Sequence, residues 1–216
     1  RWLRSGRTGA IGLYVPARAV GLEYYMHLAL GAADEAFTHG LALTLVPDWR
    51  GSAPPALHLD GVVVSDPVRD DPMLARLTAL DVPVVTCERD VTPGATHAAR
   101  AQSDHRHGIR LLLDHLAEQG ATRIAVLCPG DDTSFGADIR AGHTEWCEEH
   151  GRERLLQDVP FAAMPDDVGS AVDRALRSRP DALVAVPDGS IAPALQSLHS
   201  VGISVPDDLL LASYVD

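Results

Sequence analysis

The chain has 216 residues and a formal net charge of −12, and all 18 of its basic residues are arginine. Hydrophobic residues make up 46% and charged residues 22%. This balance excludes a disordered chain, because such chains lack the apolar surface that offsets chain entropy. The negative charge argues against direct binding of nucleic-acid phosphates by this segment.

The sequence also bears on the cellular compartment. No run approaches the roughly 20 apolar residues of a membrane helix, and Arg1–Arg7 carries charges without the apolar core of a signal peptide. The three cysteines, Cys87, Cys128 and Cys147, are widely spaced, so neither a disulfide framework nor a zinc site is predicted. We therefore expect a cytoplasmic protein.

Short apolar runs recur along the chain and are continuous rather than alternating, which is typical of strands buried on both faces of a parallel sheet. The predicted strands are Ile11–Val15, Leu41–Val46, Gly61–Val64, Val82–Cys87, Ile124–Cys128, Ala182–Val186 and Leu209–Ala212. Segments with helical periodicity lie between them. This alternation predicts an α/β fold of parallel sheets flanked by helices.

The helical segments have an apolar residue every three or four positions. The three sets are Met26, Leu30, Ala33 and Phe37, then Ile109, Leu112, Leu113 and Leu116, then Ile191, Leu195 and Leu198. Four glycines fit the position that ends a helix, namely Gly40, Gly120, Gly151 and Gly202.

Two strand–helix units fit the chain, and Val91–Ser103, which has little periodicity, is interpreted as the crossing between them. The connection Pro47–Asp60 is a minimal parallel crossover, since such a crossover needs at least roughly 10–12 residues and commonly a helix. Because Pro54, Pro55 and Gly51 disfavour a helix, we expect one helical turn there at most.

The familiar enzyme signatures are absent. The sequence has no GxSxG elbow, phosphate-binding loop, GxGxxG or HExxH motif, and no lysine for a Schiff base. His105 and His107 are two positions apart on a predicted helix and do not face each other, so Asp104 is interpreted as a helix N-cap and not as a metal ligand. We expect no enzyme activity, metal or cofactor.

Polar and aromatic residues follow several predicted strands. In open parallel sheets, ligands bind at the carboxyl ends of the strands. Glu88, Arg89 and Asp188 follow such strands directly, and Tyr24, Tyr25 and Phe135 lie near strand ends. Carboxylates, an arginine and aromatic faces suit a polyhydroxylated ligand. Taken singly, each polar residue fits a helix cap or a solvated loop as well.

The order of short motifs resembles the effector-binding core of LacI/GalR-type transcriptional regulators nearly from end to end. Each fragment alone is weak, but their ordered occurrence is specific. The matching fragments are Leu3–Leu13, Tyr24–Gly40, Asp60–Val64, Val82–Val85 with Glu88–Arg89, Asp104 to Gly108, His115–Ala125, Pro180–Leu183 and Val205–Leu209.

The resemblance implies two Rossmann-like subdomains of the periplasmic-binding-protein type I fold. Residues 1–9 would form a post-hinge linker, residues 10–102 the N-terminal subdomain and residues 103–216 a C-terminal subdomain that is incomplete at its end. A sugar or similar metabolite would bind in the cleft between the subdomains. This would change the operator affinity of a homodimer that contacts DNA through an N-terminal helix-turn-helix absent from this chain.

The resemblance also implies ligand-binding residues. They are Tyr24, Tyr25, Glu88, Arg89, Phe135, Arg140, Asp188 and Asp216. Two positions depart from the family pattern. The pocket arginine, usually three residues before a glycine, is Ile139 here with Arg140 beside it. The usual "GYDD" is Ser213–Asp216, which displaces its acid by one position.

Two other functions compete with a regulator. An extracytoplasmic sugar-binding protein of a transporter would have the same fold, although Leu3–Gly9 resembles a post-hinge linker. A small α/β hydrolase or transferase is the third possibility, but no nucleophile–base pair is visible.

Overall fold

The computed structural model describes residues 7–49 and 57–215. These residues fold as two units, each compact in itself. The first unit extends to Ser103 and takes in Asp132–Ser134, and the second holds Asp104–Asp131 together with the chain from Phe135 onward.

Within the described residues, strands and helices alternate through most of the chain. The strands are β1 (Ala10–Tyr14), β2 (Ala42–Val46), β3 (Val62–Ser65), β4 (Val84–Cys87), β5 (Ala99–Ala101), β6 (Ile124–Cys128), β7 (Leu155–Asp158), β8 (Ala182–Ala185) and β9 (Leu210–Ser213). The helices are α1 (Glu23–Thr38), α2 (Pro72–Thr78), α3 (His105–Glu118), α4 (Ser134–His150), α5 (Pro165–Leu176) and α6 (Ile191–Ser200), and a 3₁₀ turn covers Ala17–Ala19.

The first unit is built on a parallel sheet with the strand order β2-β1-β3-β4-β5. Val62 and Val64 alternate onto one face of this sheet, where they pack against Leu74 and Leu77 of α2. All four side chains are buried. The helix begins at Asp71, whose carboxylate accepts a hydrogen bond from the Met73 amide.

The second unit contains a parallel sheet with the order β7-β6-β8-β9, and both of its faces are covered. Val126 of β6 belongs to the cluster that includes α3 and α4, whereas its neighbours Ala125 and Leu127 belong to the cluster that includes α5 and α6. Successive strand residues point to opposite faces. These two sheets with flanking helices confirm the predicted fold class.

An aspartate holds the chain just before the first strand of each sheet. The carboxylate of Asp60 accepts hydrogen bonds from the Thr8 and Gly9 amides at 2.7 and 2.8 Å. Asp181 in the second unit accepts from the Thr122 amide and hydroxyl and from the Arg123 amide. Asp60, in the pair Asp60–Gly61, and Asp181, in the pair Pro180–Asp181, therefore have equivalent structural roles in the two units.

Strand prediction succeeded wherever the strand is apolar. All seven predicted runs coincide with strands, to within two residues at their ends. The sequence did not indicate β5, because Ala99–Ala101 is an exposed edge strand without an apolar run. β5 lies in the segment that was interpreted as a crossing between the two units. The sequence also did not indicate β7, because Leu155–Asp158 has only two apolar residues.

The helix predicted from Met26, Leu30 and Phe37 exists as α1, but these side chains do not face the sheet. They are 62%, 58% and 83% exposed, whereas Tyr25 and Ala36 are buried. Moving by one residue turns a helix by about 100°. The buried stripe of α1 therefore begins one residue before the predicted stripe and rests on the sheet largely through alanines.

The predicted helix ends are confirmed. The four glycines at 40, 120, 151 and 202 all have positive φ, between 61° and 97°, which costs glycine little. The Asp104 carboxylate accepts a hydrogen bond from the His107 amide at 2.9 Å, as expected of an N-cap. On α3, Ile109, Leu113 and Leu116 are buried as predicted.

Three sequence predictions lie outside the described residues. They concern the turn at Gly51, Pro54 and Pro55, the first six residues of the proposed linker, and Asp216. Among the helices of the described residues, none has the length and apolar character needed to cross a membrane.

Candidate ligand-binding site

Tyr24, Tyr25, Asp66 and Glu88 form what we call the first strand-end cluster, at the carboxyl edge of the first sheet. The tyrosines begin α1, Asp66 follows β3 and Glu88 follows β4. The Tyr25 hydroxyl donates a hydrogen bond to Asp66 Oδ2 at 2.6 Å. The Tyr24 and Tyr25 rings meet edge to face with centroids 5.1 Å apart.

The electrostatics of this cluster follow from its crowded carboxylates. Burial raises the pKa of Tyr25, and the Asp66 charge raises it further. Burial also raises the pKa of Tyr24, and the nearby charges of Asp66 and Glu88 add to this effect. Both phenols therefore remain protonated hydrogen-bond donors at neutral pH.

Asp66 and Glu88 have strained backbones. Their φ angles are 40° and 79°, in the left-handed region that non-glycine residues rarely adopt. A backbone hydrogen bond to the neighbouring strand holds each residue in place. The Asp66 amide donates to the Cys87 carbonyl, and the Glu88 amide donates to the Ala101 carbonyl. Strain of this kind is concentrated at functional sites.

Further contacts fix the side chain of Glu88. It is 9% exposed, and its Oε1 accepts a hydrogen bond from the Ser103 amide at 3.0 Å. The Ser134 hydroxyl donates to Glu88 Oε2 at 3.4 Å and accepts from the Arg89 amide at 3.1 Å. Glu88 is thus an oriented acceptor, and Arg89 is tied to the same serine through its backbone.

An ion pair lies beside this cluster. Arg18 Nη1 is 2.5 Å from Asp132 Oδ2, and the Arg69 amide donates to the Asp132 carbonyl. The positive charge of Arg18 lowers the pKa of Tyr25, although burial and Asp66 outweigh it. Sequence reasoning missed Arg18, which stands in no pattern that indicates a site, whereas Asp132 follows the predicted strand Ile124–Cys128 as a strand-end carboxylate.

A second strand-end cluster is aromatic and consists of His105, Phe135, Phe161 and Tyr214. Phe135 contacts the other three rings, with centroid distances of 5.0 Å to His105, 5.9 Å to Phe161 and 6.0 Å to Tyr214. Phe161 follows β7 and Tyr214 follows β9, so these rings lie at the carboxyl edge of the second sheet. All are partly exposed and can offer apolar faces to a ligand.

Tyr214 is held against α3. Its hydroxyl is 3.1 Å from His105 Nδ1. A Cβ at Gly108 would lie 2.7 Å from the same hydroxyl, so a side chain there would displace the tyrosine. The glycine of the "D…G" motif is therefore needed for the aromatic cluster.

The guanidinium of Arg140 forms most of its hydrogen bonds within the second unit. Its Nε donates to the Pro129 carbonyl at 2.6 Å and its Nη2 to the Cys128 carbonyl at 3.1 Å, and Nη2 also pairs with Asp158. These bonds tie α4 to the ends of β6 and β7. Ile139, at the position of the family's pocket arginine, is fully buried in the core.

Asp188 lies between β8 and α6 and is half-buried, at the same edge of the sheet as the aromatic cluster. Gly189, with a φ of 70°, and a bond from the Ser190 amide to the Pro187 carbonyl shape the turn that presents it. Asp216 lies outside the described residues, and Tyr214 is the residue of that motif that joins the cluster.

The structure thus gathers the predicted residues into two groups. Tyr24, Tyr25 and Glu88 come together in the first unit, and Phe135 lies among rings in the second. Sequence reasoning did not identify Asp66 or Phe161. Asp66 could have been found as the acid that follows the apolar run Gly61–Val64, but Phe161 stands alone in a loop without a pattern.

Metal and thiol chemistry find no support at these clusters. Within residues 7–49 and 57–215, no group of three or more histidines, cysteines or acids is arranged to hold a metal ion. Cys87, Cys128 and Cys147 are free thiols, and burial raises the pKa of Cys128 to about 12, which leaves its thiol unreactive.

Comparisons with known proteins agree with this picture. The model of the periplasmic-binding-protein-like domain matches residues 113–216. The HTH-type transcriptional regulator CelR of Thermobifida fusca is 27% identical over an alignment of 229 residues, and the alignment covers 100% of this chain and 67% of CelR. The ribose operon repressor of Halalkalibacterium halodurans is 26% identical over 96% of this chain and 62% of the repressor.

A solved structure of CelR in complex with cellobiose superposes with a TM-score of 0.82 at 24% identity and covers 95% of this chain and 67% of that structure. The chain therefore spans about two thirds of the length of these relatives. Its two parallel sheets share the fold of the CelR structure, residues 113–216 match the periplasmic-binding-protein-like domain, and the chain is similar in sequence to transcriptional regulators over its whole length.

Proposed function

We propose that the chain is the ligand-sensing and dimerising core of a DNA-binding transcriptional regulator, and that its effector is a sugar. The observation that carries the proposal is the chemistry of the strand-end clusters, each taken within its own unit. The first offers oriented carboxylates and phenols, and the second offers ring faces. Both suit a sugar, because its hydroxyls form directed hydrogen bonds while its C–H faces stack on aromatic rings.

The proposed ligand-binding residues are the eight named from the sequence, joined by Asp66, Phe161 and Tyr214. Arg140 would contribute through Nη1, since Nε and Nη2 are used by the ends of β6 and β7. Asp188 and Asp216 would bind hydroxyls, and Tyr24 and Arg89 would line the first cluster. The names of the relatives make cellobiose and ribose the first probes.

The regulatory step would be a shift between two conformations of the core, of which the sugar binds one more tightly. DNA contact would belong to a helix-turn-helix module outside these 216 residues, since the chain itself carries a charge of −12. This function places the protein in the cytoplasm. The relatives named above are regulators, which favours this function over a transport protein or an enzyme.

Dimerisation is proposed through an apolar α1–β2 face, formed by Val20, Met26, Leu30, Phe37 and Leu45. These side chains are 58% to 83% exposed. Beside them a cavity of about 680 Å³ is lined by further apolar residues, among them Leu13, Val15 and Leu22. An apolar patch of this kind is typical of an interface, and a second copy of the chain supplies a matching surface.

A thermal-shift screen of mono- and disaccharides, with cellobiose and ribose included, tests the sugar proposal, because a ligand that binds the native state raises its apparent stability. Glu88→Gln is expected to weaken binding of a hit at least about tenfold, since it removes one charged acceptor. Glu118→Gln on the exposed end of α3 is the matched control and should bind normally. A hit that binds Glu88→Gln and Phe161→Leu as it binds the wild type would refute the site.

Sedimentation equilibrium tests the dimer. Leu30→Glu is expected to yield a monomer, because it places a charge in the proposed interface. Leu111→Glu changes an equally exposed leucine of α3, 56% exposed, and should leave the mass unchanged. Equal effects of the two substitutions, or a monomeric wild type at all concentrations, would contradict this interface.

A further inference from the structure

A small polar pocket in the first unit shares no residue with the first strand-end cluster. Its volume is about 180 Å³, and its lining residues are Thr86, Asp90, Ala95, His97, Ala99 and Arg100. Thr86 lies on β4 and Arg100 beside it on β5, and the two residues are partners in the parallel register. Their side chains therefore point to the same face of the sheet.

Two buried polar atoms of this pocket have no hydrogen-bond partner within the described residues, namely Thr86 Oγ1 and His97 Nδ1. Thr86 is 1% exposed. The His97 side chain is 11% exposed, and its Nε2 lies 3.0 Å from Asp90 Oδ2. Leaving such atoms unpaired is unfavourable, because each loses its bond to water and gains no other. Native proteins rarely leave two of them in the lining of one pocket without an occupant that satisfies them.

The contacts of Asp90 set the polarity of His97. Burial alone would raise the pKa of Asp90, but hydrogen bonds from Thr92 and His97 lower it below its usual value. The Thr92 amide donates to Asp90 Oδ1 at 2.8 Å. Because Nε2 of His97 is paired with the Asp90 carboxylate, Nδ1 is the ring nitrogen left to serve the pocket, with a lone pair in the neutral ring and an N–H in the charged ring.

The walls of the pocket therefore mix donors and acceptors. His97 Nδ1 and the Thr86 hydroxyl each donate or accept, and Arg100 donates. An adjoining cavity of about 550 Å³ adds the carboxylates of Asp70 and Asp71. An anion would meet three carboxylates, a cation would meet the guanidinium of Arg100, and no metal-binding group exists among the described residues.

Hydroxyl groups fit these walls, because a hydroxyl both donates and accepts and can therefore pair with either of the two partnerless atoms, Thr86 Oγ1 and His97 Nδ1. The pocket has the volume of about six water molecules, at roughly 30 Å³ each. We propose that it is a second binding site, separate from the strand-end clusters, for a small neutral polyol of about three to five carbons. This site does not depend on the proposed effector site or on dimerisation.

NMR of the full chain labelled at its threonine methyl groups tests the proposal, with erythritol and glycerol as probes. Titration is expected to shift the methyl signals of Thr86, Thr92 and Thr96, while Thr44 on β2 remains unchanged. Thr86→Val keeps the shape of the side chain and removes the hydroxyl, so it should raise the erythritol dissociation constant at least about tenfold. Thr44→Val is the matched control on an exposed position of the same sheet.

The outcomes separate this site from the effector site. Binding of a sugar hit at the strand-end clusters should be the same in Thr86→Val as in the wild type, and Glu88→Gln should leave the erythritol titration unchanged. The proposal is overturned if neither polyol shifts the Thr86 signal at its solubility limit. It is equally overturned if Thr86→Val binds erythritol as well as the wild type does, which would leave water as the occupant.

Discussion

The two units share an architecture but differ in how completely they bury their apolar surface. In the second unit, both faces of the sheet are covered by buried clusters. In the described residues of the first unit, one buried cluster covers one face, and α1 leaves Met26, Leu30 and Phe37 exposed. Since apolar burial is the main favourable term in folding, the second unit is expected to be stable by itself, while the first would gain more stability from the proposed dimer.

The largest expected effect comes from the core of the second unit. Leu113 is 0% exposed, and Leu113→Ala should lower the free energy of unfolding by about 2–5 kcal/mol through lost burial and a residual cavity. Leu30→Ala on α1 of the first unit, measured by urea unfolding at a concentration that keeps the chain monomeric, should change it by less than about 0.5 kcal/mol. Similar losses in both variants would contradict the difference between the units.

The second prediction concerns acid sensitivity, which buried His143 confers on the second unit. Burial, with a smaller effect of Arg154, lowers the pKa of His143 to about 4 from 6.5. Between these values the unfolded chain binds the proton and the folded chain does not, so stability falls as the pH falls. The loss from His143 should reach about 3 kcal/mol near pH 4.

Urea unfolding at several pH values checks this prediction. His143→Leu should flatten the decline between pH 6.5 and 4, whereas the same change at exposed His199 should not alter it. An unchanged slope in His143→Leu would show that other groups cause the acid sensitivity.

The smallest effect concerns the paired aspartates. Burial opposes ionisation of Asp181, but hydrogen bonds from Thr122 and Arg123 lower its pKa, and the Thr8 amide is the main cause of the lowered pKa of Asp60. Both carboxylates stabilise the fold above their ordinary pKa and lose this effect as the pH falls. Asp181→Ala should cost about 1 kcal/mol, and Asp60→Ala should destabilise the first unit in the same direction.

Differential scanning calorimetry of both variants measures this pair. The control variant is Asp173→Ala, on the exposed surface of a helix. Asp208→Ala would be unsuitable, because the Asp208 carboxylate accepts a hydrogen bond from the Ser204 amide. A control that destabilises as much as Asp181→Ala would show that the hydrogen bonds contribute nothing specific.

Burial explains which parts of the fold were predictable. The strands with continuous apolar residues were recognised, and some of them, such as Ile124–Cys128, are buried on both faces. The edge strand β5 is exposed and carries no such pattern. The stripe on α1 was misassigned by one residue because the alanines that contact the sheet are small, while the larger Met26, Leu30 and Phe37 dominate the sequence pattern.

The site was predictable only in part. Glu88 and Tyr214 follow strands directly, so the topology alone places each at the carboxyl edge of its own sheet. Phe161 comes from a loop, and its ring contact with Phe135 leaves no signal in local sequence. Arg140 was identified one position from Ile139, and its bonds to β6 could not be anticipated from spacing.

A crystal structure of the chain with its best-binding sugar tests the central claim most directly. The account predicts a sugar at a strand-end cluster, with hydroxyls within hydrogen-bond distance of Glu88 or Asp66, or with a ring face against Phe161 or Tyr214. A sugar bound elsewhere, with both strand-end clusters unoccupied, would contradict it.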